Sequence, residues 1–122
     1  MPDSGSGDPR ERSADHVALP PALAQQSLSQ QVLILPYDAA IAAIDHLTST
    51  GRRLENWEGW VKLRDGARAK SLSYGGSFAL PSEAPRSAET AKAGIARAHE
   101  RWQHDPEYPG AELYFGLTFA QR

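Results

Sequence analysis

The most regular alternation of apolar and polar residues occurs near the end of the chain, at residues 112–119. One parity holds Leu113, Phe115, Leu117 and Phe119, and the other holds Glu112, Tyr114, Gly116 and Thr118. A period of two is the pattern of a β-strand with one buried face, so this segment is predicted to be a strand. Residues 32–35 are apolar on both parities and precede Pro36, which predicts a short strand covered on both faces.

Two helices are predicted by apolar residues at helical spacing. Asp38 would cap the first helix, and Gly51 would end it in a left-handed conformation. Ser87 would cap the second, which ends before Pro106, and Gly94 indicates a close approach of this helix to the sheet. The apolar stripes consist of Ile41, Ile44 and Leu47 in the first helix and of Ala91, Ile95, Ala98 and Trp102 in the second.

Between the two helices the chain is predicted to fold back at Asp65 and Gly66. An Asp-Gly pair between alternating segments favours a type I′ turn, in which both central residues have positive φ. A two-residue turn would place Trp60 opposite Ser71, on the face of the sheet that points away from the helices. The same register makes Trp57 a core residue.

The predicted order of elements is β-α-β-β-α-β, which is an α+β class. This is the split, ferredoxin-like pattern, an antiparallel sheet with both helices on one face. In that arrangement the first and third strands are central. The apolar first strand agrees with a central place, whereas residues 67–73 of the third strand are too polar for it.

Residues 1–29 are predicted to form a flexible tail, and residues 30–122 form the α+β domain. Ser, Gly, Pro, Asp and Arg dominate the first fifteen positions, and such a composition buries too little apolar surface to offset its ordering entropy. Residues 19–23, Leu-Pro-Pro-Ala-Leu, are interpreted as a linker with polyproline character. The alternative interpretation is a short docking motif that becomes ordered on a partner.

Composition narrows the functional classes. The 122 residues suit one domain, and 13 basic against 15 acidic residues give a net charge of -2, which does not favour a strongly basic nucleic-acid binder. The absence of cysteine excludes disulfides and thiolate chemistry. The N-terminus lacks a secretory signal pattern, and no apolar run approaches the length of a membrane span, so a cytoplasmic, bacterial-type location is expected.

No catalytic, metal-binding or cofactor motif stands out. His99 and His104 are five residues apart and diverge by about 140° around a helix, whereas metal pairs on one helix are three or four residues apart. There is no phosphate-binding loop and no nucleophile elbow. The sequence therefore predicts no catalytic residue, no metal and no cofactor, and a binding protein is expected rather than an enzyme.

The face of the sheet away from the helices is the candidate interface. Exposed aromatic residues beside small and polar groups are typical of interaction surfaces, although Trp60 could also simply cover the sheet. The candidate residues are Asn56, Glu58, Trp60, Lys62, Ser71, Tyr114 and Thr118. The leading hypothesis is a small, soluble, non-enzymatic protein of inhibitor, immunity or adaptor type. It would act by protein–protein contact, and a homodimer is one form of that contact.

Two alternatives remain open. The first is a small-ligand-binding domain or enzyme with a pocket between sheet and helices, lined by Tyr37, His46, Trp57, Tyr74 and Trp102. The second is nucleic-acid binding through residues 52–70, which hold six basic and three acidic residues, with Arg64, Arg68 and Lys70 at the hairpin tip. A solvated hairpin tip explains the same charges. The sheet also lacks the glycine-aromatic signature of RNA-recognition domains, so nucleic acid is not favoured.

Overall fold

Mixed helices and strands build an α+β fold around one antiparallel sheet, as the sequence predicts. The computed structural model describes residues 14–75 and 80–120. The elements are α1 (Ala14–Ala18), α2 (Pro21–Ala24), β1 (Leu33–Leu35), α3 (Tyr37–Ser49), β2 (Leu54–Lys62), β3 (Arg68–Gly75), α4 (Ala84–His104) and β4 (Glu112–Phe119). No helix in these two ranges is long and apolar enough to cross a membrane.

The strand order is β1-β4-β2-β3, and all neighbours are antiparallel. This order does not confirm the ferredoxin-like arrangement, in which β1 and β3 would be central. Here the strand that follows each long helix is central, and the strand that precedes it lies at an edge. Right-handed crossovers are compatible with both the ferredoxin-like strand order and the observed one, so the crossover rule alone does not distinguish them. The polar character of β3 is explained because an edge strand tolerates it.

The edge strand β1 is buried because the preceding segment covers its free edge. Leu33, Ile34 and Leu35 are all buried. The backbone N–H of Leu28 donates to the carbonyl of Ile34 at 2.9 Å, and the N–H of Ile34 donates to the Ser27 hydroxyl at 3.0 Å. The doubly apolar pattern therefore correctly indicated burial, but a loop rather than a second neighbouring strand provides the cover.

Residues 14–29, which the sequence assigns to the tail, pack against the domain. His16 is buried and its Nε2 lies 2.7 Å from the carbonyl of Ser29, while Leu19 and Ala24 join the hydrophobic core. The pair Pro20-Pro21 begins a helical turn, α2, rather than a polyproline linker. Packed structure thus begins well before the predicted boundary at residue 29. Residues 1–13 of the predicted tail lie outside the described residues.

The helices α3 and α4 contact each other and lie on the same face of the sheet. Gly51 follows α3 with a φ of 91°, which confirms the predicted end of that helix. The predicted caps are wrong: Pro36 precedes α3, and α4 begins at Ala84 after Glu83, three residues before Ser87. Ser87 is instead buried in the first turns of α4, where its hydroxyl donates to the carbonyl of Leu54 and ties the helix to β2.

The core fills the space between these helices and the sheet. The predicted stripe of α4 is buried in full, and Trp57 and Phe115 lie beneath it with ring centroids 5.9 Å apart. Gly94 confirms the expected close approach, because a Cβ at this position would lie 3.1 Å from Cζ2 of Trp57. The prediction of Trp57 as a core residue is therefore confirmed.

One charged cluster joins the two long helices, and it predicts a loss of stability at alkaline pH. Lys92 Nζ lies 2.7 Å from Asp45 Oδ1 on α3 and 3.3 Å from Glu89 Oε2 on α4. The hydrogen bond that Lys92 donates to Asp45 is the main cause that raises the pKa of Lys92 above 10.5, and partial burial opposes it. Because the folded pKa is the higher one, this stabilisation is complete below about pH 10.5 and is lost as the pH rises through the folded value.

The expected size of that loss is below about 1 kcal/mol, since the side chains of Lys92 and Asp45 remain 25% and 55% exposed. Urea denaturation at about pH 9 and about pH 11.5 measures it. A Lys92→Met variant serves as the control, because it lacks the titrating group and should lose less stability across the same interval. An equal loss in both proteins would contradict the assignment to Lys92.

Candidate interface on the outer sheet face and an adjoining cleft

The hairpin turn sets which residues share a face, and it differs from the predicted type I′ turn. The N–H of Gly66 donates to the carbonyl of Leu63 at 2.9 Å, and the N–H of Leu63 donates to the carbonyl of Ala67 at 2.7 Å. Among the described residues only glycines have positive φ, so Asp65 cannot occupy a type I′ position. The loop therefore has three residues, with Gly66 at a φ of 91°.

The longer loop moves the register by one residue. Trp60 lies opposite Lys70 of β3, not opposite Ser71, and on its other side it lies opposite Tyr114 of β4. A bulge follows, because four residues of β3 occupy the space beside the single residue Gly59. Ser71 turns towards the helix side, where it is buried and its hydroxyl donates to Glu107 Oε1 at 2.8 Å. The prediction that Ser71 belongs to the same face as Trp60 is therefore wrong.

We call the side of the sheet away from α3 and α4 the outer face. Burial alternates along β2, since Trp57, Gly59 and Val61 are buried towards the core, whereas Glu58 and Trp60 lie on the other side and are only partly buried. The described outer-face residues of β2, β3 and β4 with polar or aromatic side chains are Asn56, Glu58, Trp60, Lys62, Arg68, Lys70, Glu112, Tyr114 and Thr118. All predicted interface residues except Ser71 are among them.

Trp60 and Tyr114 form the centre of the outer face, and both are half-buried rather than fully exposed. The indole of Trp60 lies over Gly116, because a Cβ on that glycine would be only 2.7 Å from Trp60 Nε1. The Nε1–H group donates to Glu58 Oε2 at 3.3 Å. Covering the sheet is thus one role of Trp60, and the hydrogen bond fixes the ring in an orientation that leaves part of it accessible.

Charges of both signs surround this aromatic centre. Lys70 Nζ lies 3.2 Å from Glu58 Oε1, and Lys62 Nζ lies 4.0 Å from Glu112 Oε1. Arg68, although exposed, donates from Nη1 to the carbonyl of Leu28, the residue whose N–H binds the edge of β1. The outer face is therefore electrically mixed, with no block of one sign.

The remaining basic residues of segment 52–70 lie elsewhere. Arg52 is buried, and its Nη2 lies 2.6 Å from Asp15 Oδ1. Arg53 Nη2 lies 3.3 Å from Glu55 Oε2. Arg64 at the hairpin tip extends alongside Gly110, where a Cβ would lie 2.5 Å from its Nε. The excess of basic residues in this segment is therefore not gathered on one surface.

A cleft of about 450 Å³ opens at the end of the sheet, where α3 begins, α4 ends and β4 starts. Tyr37 and His99 stack in parallel on its wall, with ring centroids 4.1 Å apart and planes 6° from parallel. Trp102, Asp38 and Glu112 also line it. We call this site the end cleft.

Only some of the residues that line the end cleft were predicted from the sequence. Of the five predicted pocket residues, Tyr37 and Trp102 line it, Trp57 is in the core, and His46 and Tyr74 are not part of the lining. His99 was missed, although it precedes Trp102 by three residues and so shares its side of the helix. The other missed residues, Asp38 and Glu112, come from separate elements and carry no sequence signal for this site.

The end cleft is continuous with the outer face, because Glu112 and Tyr114 belong to both. In residues 14–75 and 80–120, no group of three or more histidine, aspartate and glutamate side chains is arranged to hold a metal ion. Comparison with known proteins gave no match to a family model, to a curated protein or to a solved structure.

Proposed function

We propose that the chain is a binding protein that acts through protein–protein contact on its outer face, and that a second copy of the same chain is the partner there. The observation that carries the proposal is the aromatic centre, Trp60 and Tyr114, with charges of both signs around it. Partly exposed aromatic residues inside a polar rim are the usual composition of an interface centre.

The charge pattern supports a second copy as the occupant. A two-fold interface brings the same patch together from both chains, so each charge must find its opposite within that patch. The outer face offers two lysines, Lys62 and Lys70, and two glutamates, Glu58 and Glu112. Rotation of one copy onto the other can exchange these two ion pairs between chains, while Arg68 stays hydrogen-bonded to the carbonyl of Leu28 in its own chain.

Nucleic acid is a less suitable partner for this surface. Binding to a polyanion requires a row of cations that can replace counterions along the phosphates. Here Lys62 and Lys70 lie beside glutamates, and Arg52 is buried against Asp15. The mixed signs favour a protein surface over a phosphate backbone.

The proposal predicts a dimer that depends on Trp60. Light scattering coupled to size exclusion should give twice the chain mass of 13.3 kDa for the wild type. Trp60→Ala should raise the dissociation constant by about 30-fold or more, as expected for a central aromatic anchor worth about 2 kcal/mol. Circular dichroism at the same concentration shows whether the variant is folded.

Two further variants make this test specific. Lys70→Glu leaves the aromatic packing unchanged and should also weaken the dimer, because it places like charges together. Tyr108→Ala is the matched control, since Tyr108 is an exposed aromatic residue outside the outer face and should have no effect. A wild-type mass of one chain at about 0.5 mM would overturn the second copy as partner, because an interface of normal size holds well below that concentration.

A further inference from the structure

We propose that the end cleft is a binding site for a small molecule that carries a guanidinium group. This inference does not rest on the proposed dimer, because it concerns the groups that line the cleft between α3, α4 and β4, of which Glu112 and Tyr114 also belong to the outer face. The cleft volume of about 450 Å³ is within the usual size range of small-ligand sites.

The aromatic wall selects a flat group. Tyr37 and His99 are stacked within 6° of parallel, and Trp102 lines the cleft one helical turn from His99. A guanidinium is planar and weakly hydrated, and it stacks on aromatic rings more readily than an ammonium does. The aromatic lining therefore suits a planar cation better than an ammonium.

The charges that line the cleft select a cation. Two acidic residues, Asp38 in the first turn of α3 and Glu112 at the start of β4, are among the described residues that line the cleft, and none of those lining residues is a lysine or an arginine. Glu112 is 67% exposed and its ion pair with Lys62 is long, at 4.0 Å, so its oxygens can accept further hydrogen bonds. Two carboxylates from different elements suit the fork of N–H donors that a guanidinium presents.

Neutral acceptors complete the lining. Gln26 and Gln103 are also among the lining residues, and the oxygen of a side-chain amide can accept hydrogen bonds that carboxylates leave unmade. The binding experiment is run at low salt, because salt screens the attraction between a cation and partly exposed carboxylates.

The experiment is a titration of the ¹⁵N-labelled full chain with arginine amide, followed by NMR chemical shifts. Citrulline amide is the matched probe, because it has the same shape but an uncharged urea in place of the guanidinium. Arginine amide should bind with a dissociation constant of the order of 1 mM, at least about fivefold tighter than citrulline amide. The shifts should centre on the amide signals of residues 37–38, 99–103 and 111–114.

Substitutions inside and outside the cleft test whether arginine amide binds there. Asp38→Asn should weaken arginine amide about fivefold, while Glu100→Gln, which removes an exposed carboxylate of α4 outside the cleft, should leave the affinity unchanged. Trp60→Ala should bind arginine amide as the wild type does, so failure of the dimer and failure of this site can be told apart.

Three outcomes would overturn the inference. Equal affinity for arginine amide and citrulline amide would show that the charge is not recognised. Equal affinity for arginine amide and lysine amide would show that the planar guanidinium group is not recognised. Binding of an arginine-containing tripeptide at least about tenfold tighter than arginine amide would assign the cleft to a peptide rather than to a small molecule.

Discussion

Replacing Phe115 with alanine is expected to destabilise the folded protein by about 3 to 5 kcal/mol. The ring is fully buried at the centre of β4, with Trp57 at 5.9 Å and Tyr37 at 6.4 Å between ring centroids. Its removal leaves a cavity that these two rings cannot fill without leaving their own contacts. Since a domain of this kind is stable by about 5 to 15 kcal/mol, the loss is a large part of the total.

Urea denaturation followed by tryptophan fluorescence measures this effect. Tyr108→Ala is the control, because Tyr108 is 45% exposed and its loss should change the stability by less than about 0.5 kcal/mol. A loss below about 1 kcal/mol for Phe115→Ala would mean that β4 is not the central strand described above. The variant should also disturb the end cleft, since Phe115 supports Tyr37 from below.

Asp15→Asn is expected to lower the free energy of unfolding by about 2 kcal/mol. Arg52 is buried, and it donates to Asp15 at 2.6 Å and to the carbonyl of Ala120 at 3.2 Å, with its guanidinium 5.8 Å from the centre of the Phe119 ring. Removal of the carboxylate charge leaves a buried cation without its counterion. Because Asp15 keeps 17% of its side chain exposed, the cost lies between that of a buried and of a surface pair.

This variant decides whether residues 14–29 belong to the folded domain. If they formed the flexible tail that their composition suggests, Asp15→Asn would leave the unfolding midpoint in urea unchanged. The matched control is Glu100→Gln, an equivalent loss of one exposed carboxylate on α4, which should change stability by less than about 0.5 kcal/mol.

The sequence predicted the elements better than their arrangement. The alternation of β4 and the stripe of α4 depend on local periodicity, and both are present as predicted. Strand order depends on long-range pairing, and the apolar pattern of β1 wrongly indicated a central strand. The free edge of β1 is instead covered by Ser27 and Leu28, in a segment whose composition resembles a tail.

The candidate site shows the same limit. Trp60 and Tyr114 could be placed on one face, because parity along each strand is a local property. Ser71 could not, because one additional residue in the turn shifted the register of β3 and so changed the face on which Ser71 lies. The end cleft was largely beyond prediction, since it forms only where the ends of α3, α4 and β4 meet.

The segment that covers the free edge of β1 affects the tendency of the protein to aggregate at high concentration. An antiparallel sheet with two free edges can recruit strands from other molecules and grow into aggregates. Here Leu28 and Ser27 occupy the hydrogen-bonding groups of Ile34 on one edge, and the bulge beside Gly59 interrupts the other, where Arg68 and Lys70 add charge. Pairing of copies of the chain edge to edge is thereby disfavoured, which is consistent with the proposed contact through the outer face.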